Sequence, residues 1–141
     1  MIQTTLGSQD IAIGDVRPLS PRMFTAADLM AYGAATWDWH RIHYDLSYAQ
    51  KLGFPGVFVD GQAYGSIFAQ HAVKWFGPRS FIRKMKVSYR TMVFAGQSIE
   101  GSSKIDDICP GDSFVIAVLS QVMLRGQDTV ATCVTEVQLP R

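Results

Sequence analysis

The chain has 141 residues, of which 48% are hydrophobic and 18% charged, and its formal net charge is +1. That length suits one domain with a substantial core, and the near-neutral charge gives no electrostatic footprint for nucleic acid or an anionic membrane surface. Polar residues interrupt every apolar run before membrane-spanning length, and the opening MIQTTLGSQD lacks the basic and apolar regions of a secretory signal, so a cytoplasmic protein is expected.

In chain order, Ile11 to Leu19 reads as a short strand, after which SPRMFTAADLMAYGAAT opens a helix. Thr25 and Asp28 have the spacing of a capping box, and Leu29, Met30 and Tyr32 supply its apolar stripe. After residues 36–45 come a short helix, SYAQKLG, stopped by Gly53, and the loop FPGVFVDG leading into a short extended piece. A second, longer helix follows in GQAYGSIFAQHAVKWFGP, where Tyr64, Ile67, Phe68, His71, Ala72 and Trp75 form a broad stripe. Val73 and Phe76 add bulk outside that stripe, which predicts a helix wrapped by other structure and stopped at Gly77-Pro78.

The remaining chain reads as strands. FIRKMKVSYRTMVF alternates Phe81, Met85, Val87 and Tyr89 against Lys84, Lys86, Ser88 and Arg90. SIEGSSKIDDI is more polar, SFVIAVLSQVML is apolar on both faces, and TVATCVTEVQL alternates again, with turns at AGQ, CPGD and RGQD. The pattern predicts an α+β fold, a helix lying on a curled antiparallel sheet. Cys109 and Cys133 lack CxxC partners, so two reduced, buried thiols are expected and not a structural zinc site.

The chemistry is concentrated in TWDWHRIHYD, residues 36–45, which holds two of the three histidines, two acids, one arginine and three aromatics. Three readings compete for it. A polar connecting loop is the plainest. A metal site would use the HxxH spacing of His40 and His43 with Asp38 or Asp45, although no further strong ligand set lies downstream, and His71 falls within a helix stripe. The third reading is an acid-base pair, Asp38 and His43, placed five residues apart across a non-helical turn and able to share one water. Adding that water to a carbon-carbon double bond needs a conjugated carbonyl and a group to hold its developing charge. Gly61, opening the long helix, offers free backbone amide and close approach, while Asp60 has the position of an N-cap.

These residues, taken in order, resemble the MaoC-like hydratases and dehydratases. The resemblance runs from about Val16 to Val137 and rests on a helix, Asp-x-x-x-x-His, YAQKLGF, a glycine opening a buried helix, and then strands. It implies a single hot-dog domain over residues 1–141, an antiparallel sheet wrapped round a long central helix. It also implies that Asp38 and His43 act on water at the double bond of an enoyl thioester, and that the Gly61 amide holds the thioester oxygen. The implied substrates are acyl groups on coenzyme A or acyl carrier protein, with CoA as part of the substrate and no other cofactor or metal. Active sites in this family lie at a dimer interface, so a homodimer or a heteromer with a second MaoC-like chain is expected.

Where the family has Gly-Asp-x-Asn-Pro-x-His, this chain has Trp37, Asp38, Trp39, His40, Arg41, Ile42 and His43. HRIHYD is similar to the branch acting on mesaconyl-type or mitochondrial-type hydroxyacyl thioesters, and Asp60 stands where the family often has His. FVDGQAYG and WFGPRSFIRKMKVSYR resemble the small subunits of bacterial steroid side-chain enoyl-CoA hydratases, which work as heteromers. Trp37, His40, Arg41 and Asp60 are therefore candidate substrate contacts, with Lys84, Lys86 and Arg90 on one strand face, and Arg79 and Arg83 nearby, as candidate cations for CoA phosphates. Arg41 has a structural alternative, a surface pairing with Asp45 or Asp38. Two other functions stay open: a half-site subunit that shapes a partner's pocket, and a hot-dog thioesterase that cleaves the thioester.

Overall fold

A computed structural model describes residues 6–141. Five antiparallel strands form one sheet in the order β1-β3-β4-β5-β2: β1 (Val16–Met23), β2 (Phe81–Tyr89), β3 (Ser98–Pro110), β4 (Phe114–Arg125) and β5 (Asp128–Pro140). Three helices accompany it: α1 (Ala26–Thr36), α2 (Leu46–Lys51) and the long α3 (Gly61–Phe76). The sheet curls round α3, which is the hot-dog arrangement that the resemblance implied.

The apolar side of α3 divides the core in two. Its first half, with Tyr64 and Phe68, packs with Leu29, Val93, Ile99, Met123 and Ala131. Its second half, with Ala72, Trp75 and Phe76, packs with Ile105, Leu119, Val137 and Leu139. Helix α3 is not wrapped on all sides, because Gln70, Val73 and Lys74 are exposed. One polar cluster crosses the core. Gln121 donates to the Phe68 carbonyl (3.3 Å) and to Ser103 Oγ (2.8 Å) and accepts from Thr135 Oγ1 (2.7 Å), so the three side chains of this cluster are all partnered.

Several sequence expectations need local correction. Strand β1 begins later than expected and runs through Pro18 and Pro21, which an edge strand tolerates because no neighbour needs their missing amides. The helix therefore starts only at Ala26, behind the Thr25–Asp28 capping box, which is present as predicted. Within α1, Leu29 and Gly33 are buried and Tyr32 half-buried, whereas Met30 is 43% exposed, since it points about 100° away from Leu29. In β2 the register shifts between Ile82 and Lys84. That bulge puts Ile82, Met85 and Val87 toward the core and leaves Phe81 64% exposed. Cys133 is buried as expected, but Cys109 is exposed; both are free thiols.

Candidate active site

Asp38, His43 and Asp60 converge at one end of a cavity of about 140 Å³ between β1, α1 and α3. One carboxylate oxygen of each aspartate and a ring nitrogen of His43 lie within 4.8 Å of one another. All three residues are half-buried.

Each is fixed by local backbone chemistry. Helix α1 ends where the amides of Trp37 and Asp38 both donate to the Gly33 carbonyl, with Trp37 in the left-handed region at φ 60°, ψ 25°. That reversal turns the chain out of the helix and delivers Asp38 to the cavity. Asp38 Oδ1 accepts the His40 amide at 3.1 Å, a local turn of the kind Asp favours. His43 closes a short 3-10 turn, Arg41–His43. Its Nδ1 lies 2.7 Å from the Phe58 carbonyl. A carbonyl only accepts, so Nδ1 carries hydrogen and Nε2 is left for the cavity.

Phe58 is itself anchored. Val59 donates to the Val93 carbonyl, Ala95 donates to the Val57 carbonyl, and Phe58 bridges to Phe94. The Phe58 ring also meets His43 edge-to-face at 5.3 Å. Asp60 N-caps α3, its Oδ1 accepting the Gln62 amide at 2.9 Å. Its Oδ2 is shielded from solvent and has no hydrogen-bond partner among the described residues.

Gly61 opens onto a second cavity of about 460 Å³, which it shares with Tyr64, Tyr89 and Arg90. A Cβ at Gly61 would stand 3.3 Å from Tyr89 Cε1, so a side chain there would have to push the ring aside. Val59 borders both cavities. The Asp60 side chain thus faces the first cavity while Gly61 faces the second, which separates the carboxylate from any negative charge gathered at the Gly61 amide.

The other predicted contacts lie elsewhere. Trp37 is 81% exposed and Trp39 44% exposed, and neither lines either of these two cavities; the left-handed cap turns Trp37 outward. His40 is also outside; its ring stands 6.1 Å from that of His43, and its Nδ1 accepts the Ile42 amide. The potential metal-ligand trio is therefore Asp38, His43 and Asp60 instead of the HxxH pair. Arg41 braces the loop, with two nitrogens on Asp45 Oδ2 (2.7 and 3.1 Å) and its guanidinium 4.5 Å from the Tyr48 ring. That hydrogen bond, followed by the Tyr48 amide, holds the Asp45 carboxyl below its ordinary range.

Lys84 pairs with Glu136 at 3.5 Å, and Arg83 lies 5.8 Å from the Phe114 ring. Both sit near the far end of β2, Lys84 about 17 Å from Tyr89 along the strand. Arg90 is the cation that reaches the second cavity. Tyr32 and Ser66 were not picked out by the sequence as site residues. They line the first cavity with their oxygens 3.4 Å apart. Their spacing in α1 and α3 is ordinary helix periodicity, which carries no mark of a cavity.

A helix-wrapping sheet with a water-sized Asp/His site at the helix start defines a MaoC-type hot-dog protein. The chain belongs to the family of MaoC-like domains, whose model matches residues 10–121. Among characterised relatives, it is 30% identical over 91 residues to the mitochondrial 3-hydroxyacyl-[acyl-carrier-protein] dehydratase of Arabidopsis thaliana, covering 64% of this chain and about half (54%) of that enzyme. It is 23% identical over 136 residues to the (R)-specific enoyl-CoA hydratase of Aeromonas caviae, covering 96% of this chain and 100% of the relative. The structure of the A. caviae hydratase superposes with a TM-score of 0.85 at 23% identity, covering 94% of this chain and 100% of that one. A chain of the ChsH1-ChsH2 complex from Mycobacterium tuberculosis matches with a TM-score of 0.77 at 16% identity, covering 91% and 98%.

Proposed function

We propose that this protein reversibly adds water to a 2-enoyl-CoA thioester, giving a (R)-3-hydroxyacyl-CoA. The observation that carries the proposal is the convergence of Asp38 and an Nδ1-anchored His43 on one cavity beside the start of α3. A water held there loses a proton to Asp38 as its oxygen bonds to C3. The electron pair of the double bond moves into the thioester, whose oxygen rests on the Gly61 amide. His43 enters the step with both ring nitrogens protonated; its Nε2 proton goes to C2, and Asp38 then returns its proton to Nε2, which restores the starting state. The two-cavity layout supports this path, with the acyl group in the first cavity and the thioester arm leaving along the second toward Arg90.

The first cavity also favours a short acyl group. At about 140 Å³ it resembles a cavity that accommodates benzene, roughly six carbon atoms. Neither tryptophan extends its wall, whose apolar part is Phe24, Leu29, Tyr32, Val59, Ala63 and Ile67. Loss of the enoyl-thioester absorbance tests the proposal across four-, six-, eight- and twelve-carbon CoA thioesters. Turnover is expected to be highest at four to six carbons and to fall about 10²- to 10⁴-fold in Asp38→Asn, with the fold intact. An unchanged rate in that variant refutes the assignment, and release of free thiol identifies a thioesterase instead.

A heteromeric assembly is the second reading. The M. tuberculosis relative was solved as a two-component complex. Here the edge strand β2 has no proline in its span and exposes Phe81 and Tyr89, as an edge that pairs with another chain would. Copurification with a second MaoC-like chain, and turnover only in its presence, would establish it.

A further inference from the structure

We infer that Asp60 is a third catalytic residue, one that holds the second hydrogen of the attacking water; this rests on the hydration reading above. The sequence places Asp60 where an N-cap is expected, and Oδ1 performs that task on the Gln62 amide. A cap needs one oxygen. The other, Oδ2, is shielded from solvent yet unpartnered, a costly state for a carboxylate oxygen unless something in the cavity meets it.

The geometry fits a single water. Oxygens of Asp38 and Asp60 and a nitrogen of His43 lie within 4.8 Å of one another. A water making two ordinary hydrogen bonds at a tetrahedral angle spans about 4.5 Å between its acceptors. It therefore donates one hydrogen to Asp38 and one to Asp60 Oδ2, and it accepts the Nε2–H of a His43 protonated on both nitrogens. Its one remaining lone pair is then fixed in direction and free to attack C3. With Asp38 alone the water could swing about a single hydrogen bond, and the reacting lone pair would be unoriented. When Asp38 takes the first proton, Asp60 keeps its hold on the hydroxyl hydrogen that ends on the product, so no extra proton enters or leaves.

Asp60→Asn and Asp60→Ser test this without losing the helix, because Asn and Ser are both effective N-caps. Asn replaces the Oδ2 acceptor with a donor, and Ser removes the group that reaches into the cavity. Both variants are expected to melt near the wild type and to lose roughly 10- to 100-fold in kcat with KM little changed. Wild-type kcat in both would reduce Asp60 to a cap and overturn the inference. A second readout does not depend on turnover: a crystal structure able to place waters is expected to show one water touching both Asp38 and Asp60 Oδ2, absent in Asp60→Ser. If the wild type holds no such water, the inference fails. If the water is present but no enoyl thioester is turned over, Asp60 holds water as inferred and the hydratase reading fails instead.

Discussion

Gly33→Ala offers a direct test of how α1 aims Asp38. Gly33 is buried in α1, and its carbonyl receives the amides of both Trp37 and Asp38. A Cβ at this position would stand 2.7 Å from the Asp38 carbonyl oxygen, whereas ordinary contact begins near 3.4 Å. The Asp38 backbone must therefore retreat by about 0.7 Å, because backbone cannot rotate aside as a flexible side chain does. Two terms oppose each other in stability. Alanine gains about 1 kcal/mol in helix propensity, and the overpacking costs about 1–3 kcal/mol. The net is a destabilisation of about 0–2 kcal/mol, measurable as a lower urea midpoint with an unchanged m-value. Activity is the more sensitive readout. A displacement near 1 Å in a reacting group costs on the order of 10²-fold, so kcat is expected to fall about 10- to 100-fold in a protein that stays folded. Wild-type stability together with wild-type turnover would refute the reasoning, since it would mean that Asp38 is not positioned by its contact with Gly33.

Trp37→Gly tests the left-handed cap: relief of a conformation costing an L-residue about 1–2 kcal/mol, less about 0.4–1 kcal/mol of added freedom in the unfolded chain, leaves a net gain of about 0–1.6 kcal/mol and predicts a Tm rise of up to about 6 °C. A lower Tm would show that the Trp37 ring's edge contact with Trp39 at 6.0 Å outweighs the strain. Burial, ahead of the opposing hydrogen bond from the Val93 amide, pushes the Tyr64 hydroxyl up to about 12. Its folded pKa lies above the unfolded value of about 10, so its contribution to stability is complete below pH 10 and is lost as the pH rises toward 12. Ultraviolet titration is expected to show Tyr64 ionising after an ordinary exposed tyrosine, and wild-type behaviour of that late phase in Tyr64→Phe would contradict this. Burial also lowers the His71 pKa, so His71 contributes stability above about pH 6.5 that is lost as the pH falls through its folded value. Replacing it with Gln should flatten the acid limb of the urea midpoint, and an unaltered limb would exclude His71 as its source.

Much of this protein is legible from local sequence. The Thr25–Asp28 capping box, the Asp60 cap, the Gly77 stop and the two-residue alternation of β5 are rules of near neighbours, and each is present as read. The pairing of Asp38 with His43 was readable because a five-residue interval in one turn keeps the two together whatever surrounds them. Arg41 likewise found its partner four residues away in Asp45.

Tertiary structure decided the rest. Whether an aromatic beside Asp38 forms a pocket wall depends on one backbone dihedral at Trp37, and the left-handed value sends that ring to solvent. Residue spacing cannot reveal a bulge: Met85 and Val87 face the core as the alternation predicts, but the shift at Ile82/Lys84 turns Ile82 inward in place of Phe81. Which nitrogen of His43 faces the cavity depends on Phe58, fifteen residues away, whose carbonyl is set by pairing with residues 93–95. Asp60 shows the division within one side chain. Its capping oxygen serves an amide two residues on and follows from sequence, while the carboxylate comes within 4.8 Å of Asp38 and His43 only because the curled sheet brings the start of α3 against the end of α1.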